Sequence, residues 1–263
     1  MFKREMKINF KSFFVWTLLL VGIFLVVFLV YPSIVNSDNV KMMDEMMKVF
    51  PEEILKAFNM DISSIDSAFG WLKSEGFVFV LLIIGCYSGI MGANILLKEE
   101  NDKTIEYLNS LPIKRNDIVI SKVLSGSIYI VLMTLFVGIF NYVGLSFSGD
   151  FDKKMYLLLS ITPIFSSLVI FMVCMLLSTF THKTKKMIGI SLGIVFISYM
   201  LQILSTLSES TEFLKCVSIF TLSDIRNVIQ QVSINPIMVL VSISLFVILL
   251  VLTIIRYNTK ELV

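Results

Sequence analysis

The side chains of this sequence that are suited to chemistry or to specific polar contacts are concentrated in one segment, residues 98–117, which reads KEENDKTIEYLNSLPIKRND. Elsewhere the patterns of known catalytic sites are missing. The single histidine, His182, cannot build a metal cluster, and no HExxH, GxSxG or GxxxxGK[ST] motif occurs. The chain therefore carries no signature of an enzyme or of a phosphate-binding loop, and we expect it to bind no cofactor itself.

Residue spacing inside this segment predicts a short amphipathic helix. Asn101 or Asp102 can cap its first turn, which is acidic and so suits the positive end of the helix dipole. One edge of the helix is apolar and consists of Ile105, Leu108 and Leu111. Pro112 ends the helix, and Asn116 can cap the helix that follows. Two interpretations stay open from these residues: a helix that only covers the end of a bundle, or a rigid element that contacts a partner.

Long apolar runs surround this segment. The chain of 263 residues is 56% hydrophobic and 16% charged, with a mean hydropathy of +0.87, whereas soluble domains average about 25% charged residues. A helix needs about 20 apolar residues to cross the hydrocarbon core of a bilayer. Six such stretches are predicted, at residues 13–31, 77–97, 123–145, 155–180, 187–204 and 236–255. We therefore predict an all-α membrane protein with one transmembrane domain over residues 1–263.

The distribution of charge orients these six predicted spans. With the N-terminus inside, the inner segments carry 14 of the 22 Lys and Arg residues but only 7 of the 20 acidic residues. The positive-inside rule then predicts that both termini and the 98–117 segment, between the second and third spans, are cytoplasmic. The net charge of only +2 offers no basic surface for nucleic acid.

Two outer segments are long enough to have structure of their own. In residues 38–72 apolar residues recur at helical spacing around Pro51, which predicts two short amphipathic helices on the outer leaflet or over the bundle mouth. Residues 205–235 predict a second outer cap, in which Ser223 and Asp224 can start a short helix.

Inside the predicted spans the sequence offers small and hydroxyl residues rather than charges. None of the six stretches contains Asp, Glu, Lys, Arg or His, whereas ion-coupled carriers place ionisable groups at mid-membrane. A self-powered secondary transporter is therefore disfavoured. Glycines that permit close helix packing recur in two spans: Gly85, Gly89 and Gly92 in the second, and Gly189 and Gly193 in the fifth.

The 98–117 segment resembles a known family at specific positions. Its pattern consists of Glu100, Thr104, Glu106, Leu108, Leu111, Pro112, Arg115 and then Lys122. This pattern resembles the stretch between the second and third spans of ABC-2 type ABC transporter permeases, the membrane subunits of bacterial exporters. The six-span layout is similar to that family over essentially the whole chain. Lys103 departs from the pattern, because the family usually has Gly before the Thr.

The resemblance implies that ATP binding and transport across the membrane are carried out by different chains. Residues 99–115 would contain a coupling helix seated in a cleft of a separate ATP-binding cassette subunit, which would bind ATP and Mg²⁺. The coupling residues would be Glu100, Thr104, Ile105, Glu106, Leu108, Leu111, Pro112 and Arg115. The expected partners are that ATPase, a second permease chain, identical or different, and the lipid of a bacterial cytoplasmic membrane. Residues 3–7 resemble an interfacial elbow helix, although positive-inside anchoring explains them equally, and the 181–186 loop is a candidate for a second ATPase contact.

A mechanism and a substrate class are expected from these implications. Closure of two partner ATPases would push residues 102–111 and rotate the second and third spans. The apolar edge would provide the buried contact with the ATPase, and three charged residues would orient the helix: Glu100, Glu106 and Arg115.

The Phe- and Met-rich spans favour an amphipathic or hydrophobic substrate. Family members of this size resemble bacteriocin and bacitracin-type exporters, so we expect export of a membrane-active peptide or peptide antibiotic. Export of a lipid or polysaccharide, and a scaffold or sensor that docks a partner without transport, are the alternatives.

Overall fold

The computed structural model describes residues 1–34, 67–105, 113–207 and 209–260. These residues form helices joined by short connections, and no β-strand occurs among them. The α-helices are Phe2–Ile34, Ala68–Trp71, Phe77–Ile95, Lys98–Asn101, Arg115–Ser148, Lys153–Ile161, Pro163–Ser178, Thr184–Leu204, Ile225–Gln231 and Pro236–Thr259. A π-helix, Leu72–Gly76, and two 3₁₀ helices, Glu209–Cys216 and Ile219–Ser223, add to these. Most of the predicted outer pair of helices in residues 38–72 lies outside the described residues, as do residues 106–112, which include the second half of the predicted coupling helix.

Six helical stretches are long and apolar enough to cross a membrane. In chain order they are span 1, Phe2–Tyr31; span 2, Ala68–Ile95; span 3, Arg115–Ser148; span 4, Lys153–Ser178; span 5, Thr184–Leu204; and span 6, Pro236–Thr259. This confirms the prediction of an all-α membrane protein with six spans. Spans 1, 2 and 3 begin well before their apolar stretches, because each helix continues through the polar residues that precede the stretch.

Span 1 belongs to one uninterrupted helix from Phe2 to Ile34. At 1.5 Å per residue this helix is about 50 Å long, which exceeds the roughly 30 Å of a hydrocarbon core. The basic residues at its start are its first turns. Residues 3–7 are thus continuous with span 1 and form no separate helix in the described chain, and their positive-inside anchoring stays a prediction.

Local sequence sets where several helices begin. Asn235 accepts a hydrogen bond from the N–H of Ile237 and so caps span 6, which starts with Pro236. Asp224 caps the short helix Ile225–Gln231 that was predicted in the second outer cap, by accepting from two backbone N–H groups. Span 4 is divided into two helices just before Pro163, since proline cannot donate a backbone hydrogen bond.

Spans 2 and 4 form the centre of the bundle and bury most of their residues, whereas spans 1, 5 and 6 bury only a minority of theirs. Glycines of span 2 make this packing close. Gly92 lies against the backbone carbonyl of Phe171 in span 4, and Gly85 lies against the ring of Phe220. By contrast, nothing in the described part of the chain lies within 4 Å of the position that a Cβ would take at Gly189 or Gly193.

Candidate functional site: a buried charge cluster at the predicted coupling segment

The start of the predicted coupling segment differs from the prediction. Span 2 is followed by the helix Lys98–Asn101, whose C-cap is Asp102. Asn101 and Asp102 therefore end a helix instead of capping a new one, and the predicted cap is wrong. Lys103 then adopts a φ of 55°, in the left-handed region where helices commonly terminate and which glycine tolerates best. The chain turns at the position where the resembled family has glycine, and Ile105 is again helical.

The predicted cap at the other end of the segment is also wrong. The helix of span 3 begins at Arg115, and its N-cap is Lys114, in an extended conformation without a side-chain cap. Asn116 thus lies inside the first turn. Its side-chain oxygen accepts a hydrogen bond from Nδ2 of Asn258 at 2.8 Å, which gives this side chain a role between spans instead of a role as a cap.

Five charged side chains are buried together where the two ends of the described chain meet. This set, called here the buried charge cluster, consists of Glu5, Glu99, Glu100, Lys122 and Lys260, each at most 9% exposed. A buried charge is costly unless an opposite charge and hydrogen bonds satisfy it. The arrangement of partners in the cluster is therefore expected to be specific.

Lys122 of span 3 is the centre of one half of the cluster. Its Nζ donates to both carboxylate oxygens of Glu99 at 2.8 Å and to the backbone carbonyl of Ile95 at 2.6 Å. It also lies 3.4 Å from Oε2 of Glu5 in span 1. One ammonium group therefore joins spans 1, 2 and 3 at the start of the predicted coupling segment.

Glu100 is the centre of the other half. Its Oε1 accepts from Nζ of Lys260 at 2.7 Å, and its Oε2 lies 2.7 Å from Nδ1 of His182. Lys260 also donates to the carbonyl oxygen of Thr181 at 3.0 Å. The loop between spans 4 and 5 and the end of span 6 are thus both attached to the residue that begins the predicted coupling pattern.

Arg115 holds the end of span 6 from the far side of the segment. Its Nη1 donates to the backbone carbonyls of Tyr257, Asn258 and Lys260 at distances of 3.4, 3.1 and 3.0 Å. Tyr257 and Asn258 lie in the last helical turn, where carbonyls lack the regular intrahelical partner. Lys260 is the C-cap, and its own N–H also donates to the carbonyl of Tyr257. A cation at this place also suits the negative end of the helix dipole.

The structure brings some predicted coupling residues into the interior of the chain. Glu100 is buried in the charge cluster, and Ile105, only 3% exposed, packs against Ile118. Thr104 is half-buried, and its N–H donates to the backbone carbonyl of Glu99 at 2.8 Å. Four further predicted residues lie outside the described residues: Glu106, Leu108, Leu111 and Pro112. Contact of these eight residues with an ATPase stays a prediction.

Three members of the cluster were missed by sequence reasoning: Glu5, Glu99 and Lys260. Lys122 had been noted in the family pattern but without a partner. In chemical terms the cluster pairs three carboxylates with two ammonium groups, which fixes helix positions and offers no activated nucleophile. Among the described residues no group of three His, Cys, Asp or Glu side chains is arranged to hold a metal ion.

Comparison with known proteins agrees with this architecture. A family model described as "ABC-2 family transporter protein" matches residues 2–262. No curated protein and no solved structure matches the chain at a significant level. The family match covers nearly the whole chain, including all six spans and the segment between spans 2 and 3. The chain therefore belongs to the ABC-2 family of transporter proteins, as a multi-pass membrane subunit that works with an ATP-binding cassette subunit.

Proposed function

We propose that this chain is the permease subunit of an ATP-driven exporter in a bacterial cytoplasmic membrane, and that it exports a membrane-active peptide or peptide antibiotic. The observation that carries the proposal is the family match over residues 2–262, together with a polar segment between spans 2 and 3 whose two ends are attached to the bundle. In this proposal the partner ATPase binds ATP and Mg²⁺, the chain itself binds no cofactor, and two permease chains form the path.

The coupling residues take three kinds of role in this proposal. Glu100, Ile105 and Arg115 already have partners inside the chain, so they position the segment relative to the spans. Leu108 and Leu111 form the apolar grip in the cleft of the ATPase, because apolar side chains buried at the centre of an interface dominate its energy. The remaining members complete the segment as a rigid unit: Thr104, Glu106 and Pro112.

The proposed substrate class is supported by the chemistry of the described surfaces. Between spans 1 and 3 lies an open groove of about 460 Å³ whose lining is almost entirely apolar. Its aromatic residues are Phe10, Phe13, Phe14, Tyr129 and Phe136. A molecule with a large apolar surface can lie against such a lining without leaving polar groups unsatisfied.

Copurification tests the ATPase partnership. The tagged chain is expressed from its native locus, purified in mild detergent, and its bound proteins are identified. We expect an ATP-binding cassette protein that is lost in the double variant Leu108→Asp with Leu111→Asp. The matched control is Phe213→Asp with Val217→Asp, which places the same charges at exposed apolar positions near the opposite end of the bundle and is expected to keep the ATPase. A folded chain that never binds such a protein contradicts the proposal.

Substrate class requires a separate experiment. Cells that express the chain with its ATPase are challenged with membrane-active peptides, and the export of labelled peptide, lipid and polysaccharide precursor is followed in inverted membrane vesicles. We expect ATP-dependent peptide movement and resistance of the cells, both lost with Leu108→Asp and Leu111→Asp. Movement of lipid or polysaccharide alone would replace the peptide assignment, whereas the absence of any movement with the ATPase bound would favour a docking scaffold.

A further inference from the structure

Glu99 and Glu100 are consecutive residues of the short helix Lys98–Asn101, but their carboxylates serve different parts of the bundle. Consecutive residues on an α-helix are about 100° apart around its axis. Glu99 accordingly meets Lys122, while Glu100 meets Lys260. Because this helix begins the predicted coupling segment, a displacement of the segment carries both carboxylates with it.

The Glu99 side of this helix leads to spans 1 and 3. Lys122 of span 3 holds Glu99 at 2.8 Å and Glu5 of span 1 at 3.4 Å. Span 1 also packs along span 3, and the hydroxyl of Tyr129 in span 3 donates to the backbone carbonyl of Met6. Spans 1 and 3 therefore form one unit whose link to the helix Lys98–Asn101 is Glu99.

The Glu100 side leads to span 6. Lys260, the residue directly after this span, lies 2.7 Å from Glu100. Arg115, which ends the 99–115 coupling segment and is also the first residue of span 3, donates to carbonyls at the same end of span 6. Both ends of the coupling segment thus hold the end of span 6, although roughly 145 to 160 residues of sequence separate the partners.

Few residues of span 6 are buried, so this span can move with the coupling segment. Only Ser242, Thr253 and Tyr257 are buried among the residues of Pro236–Thr259. A helix with few buried contacts changes position at a lower free-energy cost than a helix in the core. Span 6 packs along the helix Pro163–Ser178 of span 4, and the contacts at its end add to that packing in setting its position.

We propose that Glu99 and Glu100 divide the movement of the coupling segment between two outputs: Glu99 acts through Lys122 on spans 1 and 3, and Glu100 acts through Lys260 on span 6. This inference rests on the proposed function, since it requires an ATPase that moves the segment. The four residues are positioning residues, because they act through the helices to which they are attached and need no contact with substrate or ATP.

The test uses the full chain in complex with its ATPase, reconstituted in lipid. In a background without the three native cysteines, Cys86, Cys174 and Cys216, an environment-sensitive fluorophore is attached to one introduced cysteine. The two label sites are Ile255 in span 6 and Leu124 in span 3, both exposed in the chain. The signal is the fluorescence change on adding ATP.

We expect Lys260→Met to lower the ATP-dependent change at position 255 by about threefold, the size of effect expected for one link in a coupled network, and to leave the change at position 124 intact. Lys260→Arg keeps the charge and is the matched control, with both signals near those of the unmodified background. Glu99→Gln is expected to give the reverse pattern, with the loss at position 124. The ratio of substrate moved to ATP hydrolysed should fall in both variants while the ATPase stays bound.

Two results overturn the inference while leaving the proposed function intact: an unchanged signal at position 255 in Lys260→Met, or an equal loss at both positions in each variant. An equal loss of the fluorescence change at both positions would mean that the cluster only stabilises the folded bundle and does not move spans 1 and 3 separately from span 6. If no ATPase binds the unmodified chain, the proposed function itself fails, and this inference fails with it.

Discussion

The two ends of the bundle are held together by different chemistry. At one end the buried charge cluster joins spans 1, 2, 3 and 6 through ammonium and carboxylate groups. Towards the opposite end Arg226 donates to the hydroxyl of Thr206 at 3.2 Å, but the buried joints are neutral hydroxyl groups. Ser223 donates to the carbonyl of Thr162 at 2.6 Å and accepts from the N–H of Ser166 at 3.0 Å, and Ser218 donates to the carbonyl of Ser198 at 2.7 Å.

This difference indicates how helices can move at the charged end of the bundle while the hydroxyl end keeps its position. A neutral hydrogen bond to a backbone carbonyl contributes about 1 kcal/mol and holds one loop to one helix. A buried ion pair contributes little net stability, but it makes the positions of its two helices strongly dependent on each other, because separating the charges is costly. The charged end is therefore suited to transmit a displacement, and the hydroxyl end is suited to fix the outer cap.

The largest expected effect comes from Lys122→Met. This change leaves Glu5 and Glu99 buried without their shared cation, and breaking a buried pair from one side costs about 3–5 kcal/mol. We expect a corresponding loss in the free energy of unfolding, measured by denaturant titration in mixed micelles, and a lower yield of folded chain.

Its control is the double variant Lys122→Met with Glu99→Gln. Removing the charge of Glu99 relieves its share of the penalty, while Glu5 stays buried without the cation, so part of the lost stability should return. If Lys122→Met is as stable as the unmodified chain, the charged end is not held by this cation, and the contrast between the two ends fails.

The second prediction concerns the close packing of spans 2 and 4 between the two ends of the bundle. A Cβ at Gly92 would collide with the backbone carbonyl of Phe171, so Gly92→Ala must push spans 2 and 4 apart. We expect a loss of about 1–3 kcal/mol in the free energy of unfolding, the usual cost of overpacking. Gly189→Ala is the matched control, because its site is open within the chain; an equal loss in both variants would show that the cost comes from glycine chemistry and not from the contact.

The third prediction concerns the loss of a hydroxyl hydrogen bond at the hydroxyl end of the bundle. Ser223→Ala removes a buried hydroxyl that both donates and accepts, which should cost about 1–2 kcal/mol in the free energy of unfolding. Because no net charge is involved, the loss should be the same in low and high salt, and the ratio of transport to ATP hydrolysis should not change. Ser244→Ala is the control, since that hydroxyl is exposed and bonds only within its own helix. A large fall in transport at normal ATP hydrolysis would show that this end also transmits movement.

The sequence was sufficient to predict the six spans and the short helix after Asp224, because both depend on local properties. Apolar length alone predicts the six spans, and the short helix after Asp224 follows from its cap. The predicted cap at Asn101 or Asp102 failed because tertiary contacts overrode propensity: Glu99 and Glu100, buried by their ion pairs, belong to a separate short helix that ends at these two residues.

The charge cluster could not be predicted for a different reason. Its partners are far apart in the chain, up to 160 residues for Glu100 and Lys260, and no periodic pattern links such positions. One available signal was that all of its members lie close to the same predicted membrane face. Glu5 in particular is the one acid among the basic residues before the first apolar stretch.

The smallest expected effect is at the charged end. Unlike the other three, it is a gain in the free energy of unfolding. Lys103 has a φ of 55°, a conformation that costs a residue with a Cβ about 1 kcal/mol and that glycine adopts freely. Lys103 is exposed, so Lys103→Gly loses no burial and should raise the free energy of unfolding by about 0.5–1 kcal/mol. Lys103→Ala removes the same charge but keeps the strain, and it should leave the stability unchanged. Equal stabilisation by Ala and Gly would mean that the charge of Lys103, and not the backbone of this turn, carries the cost.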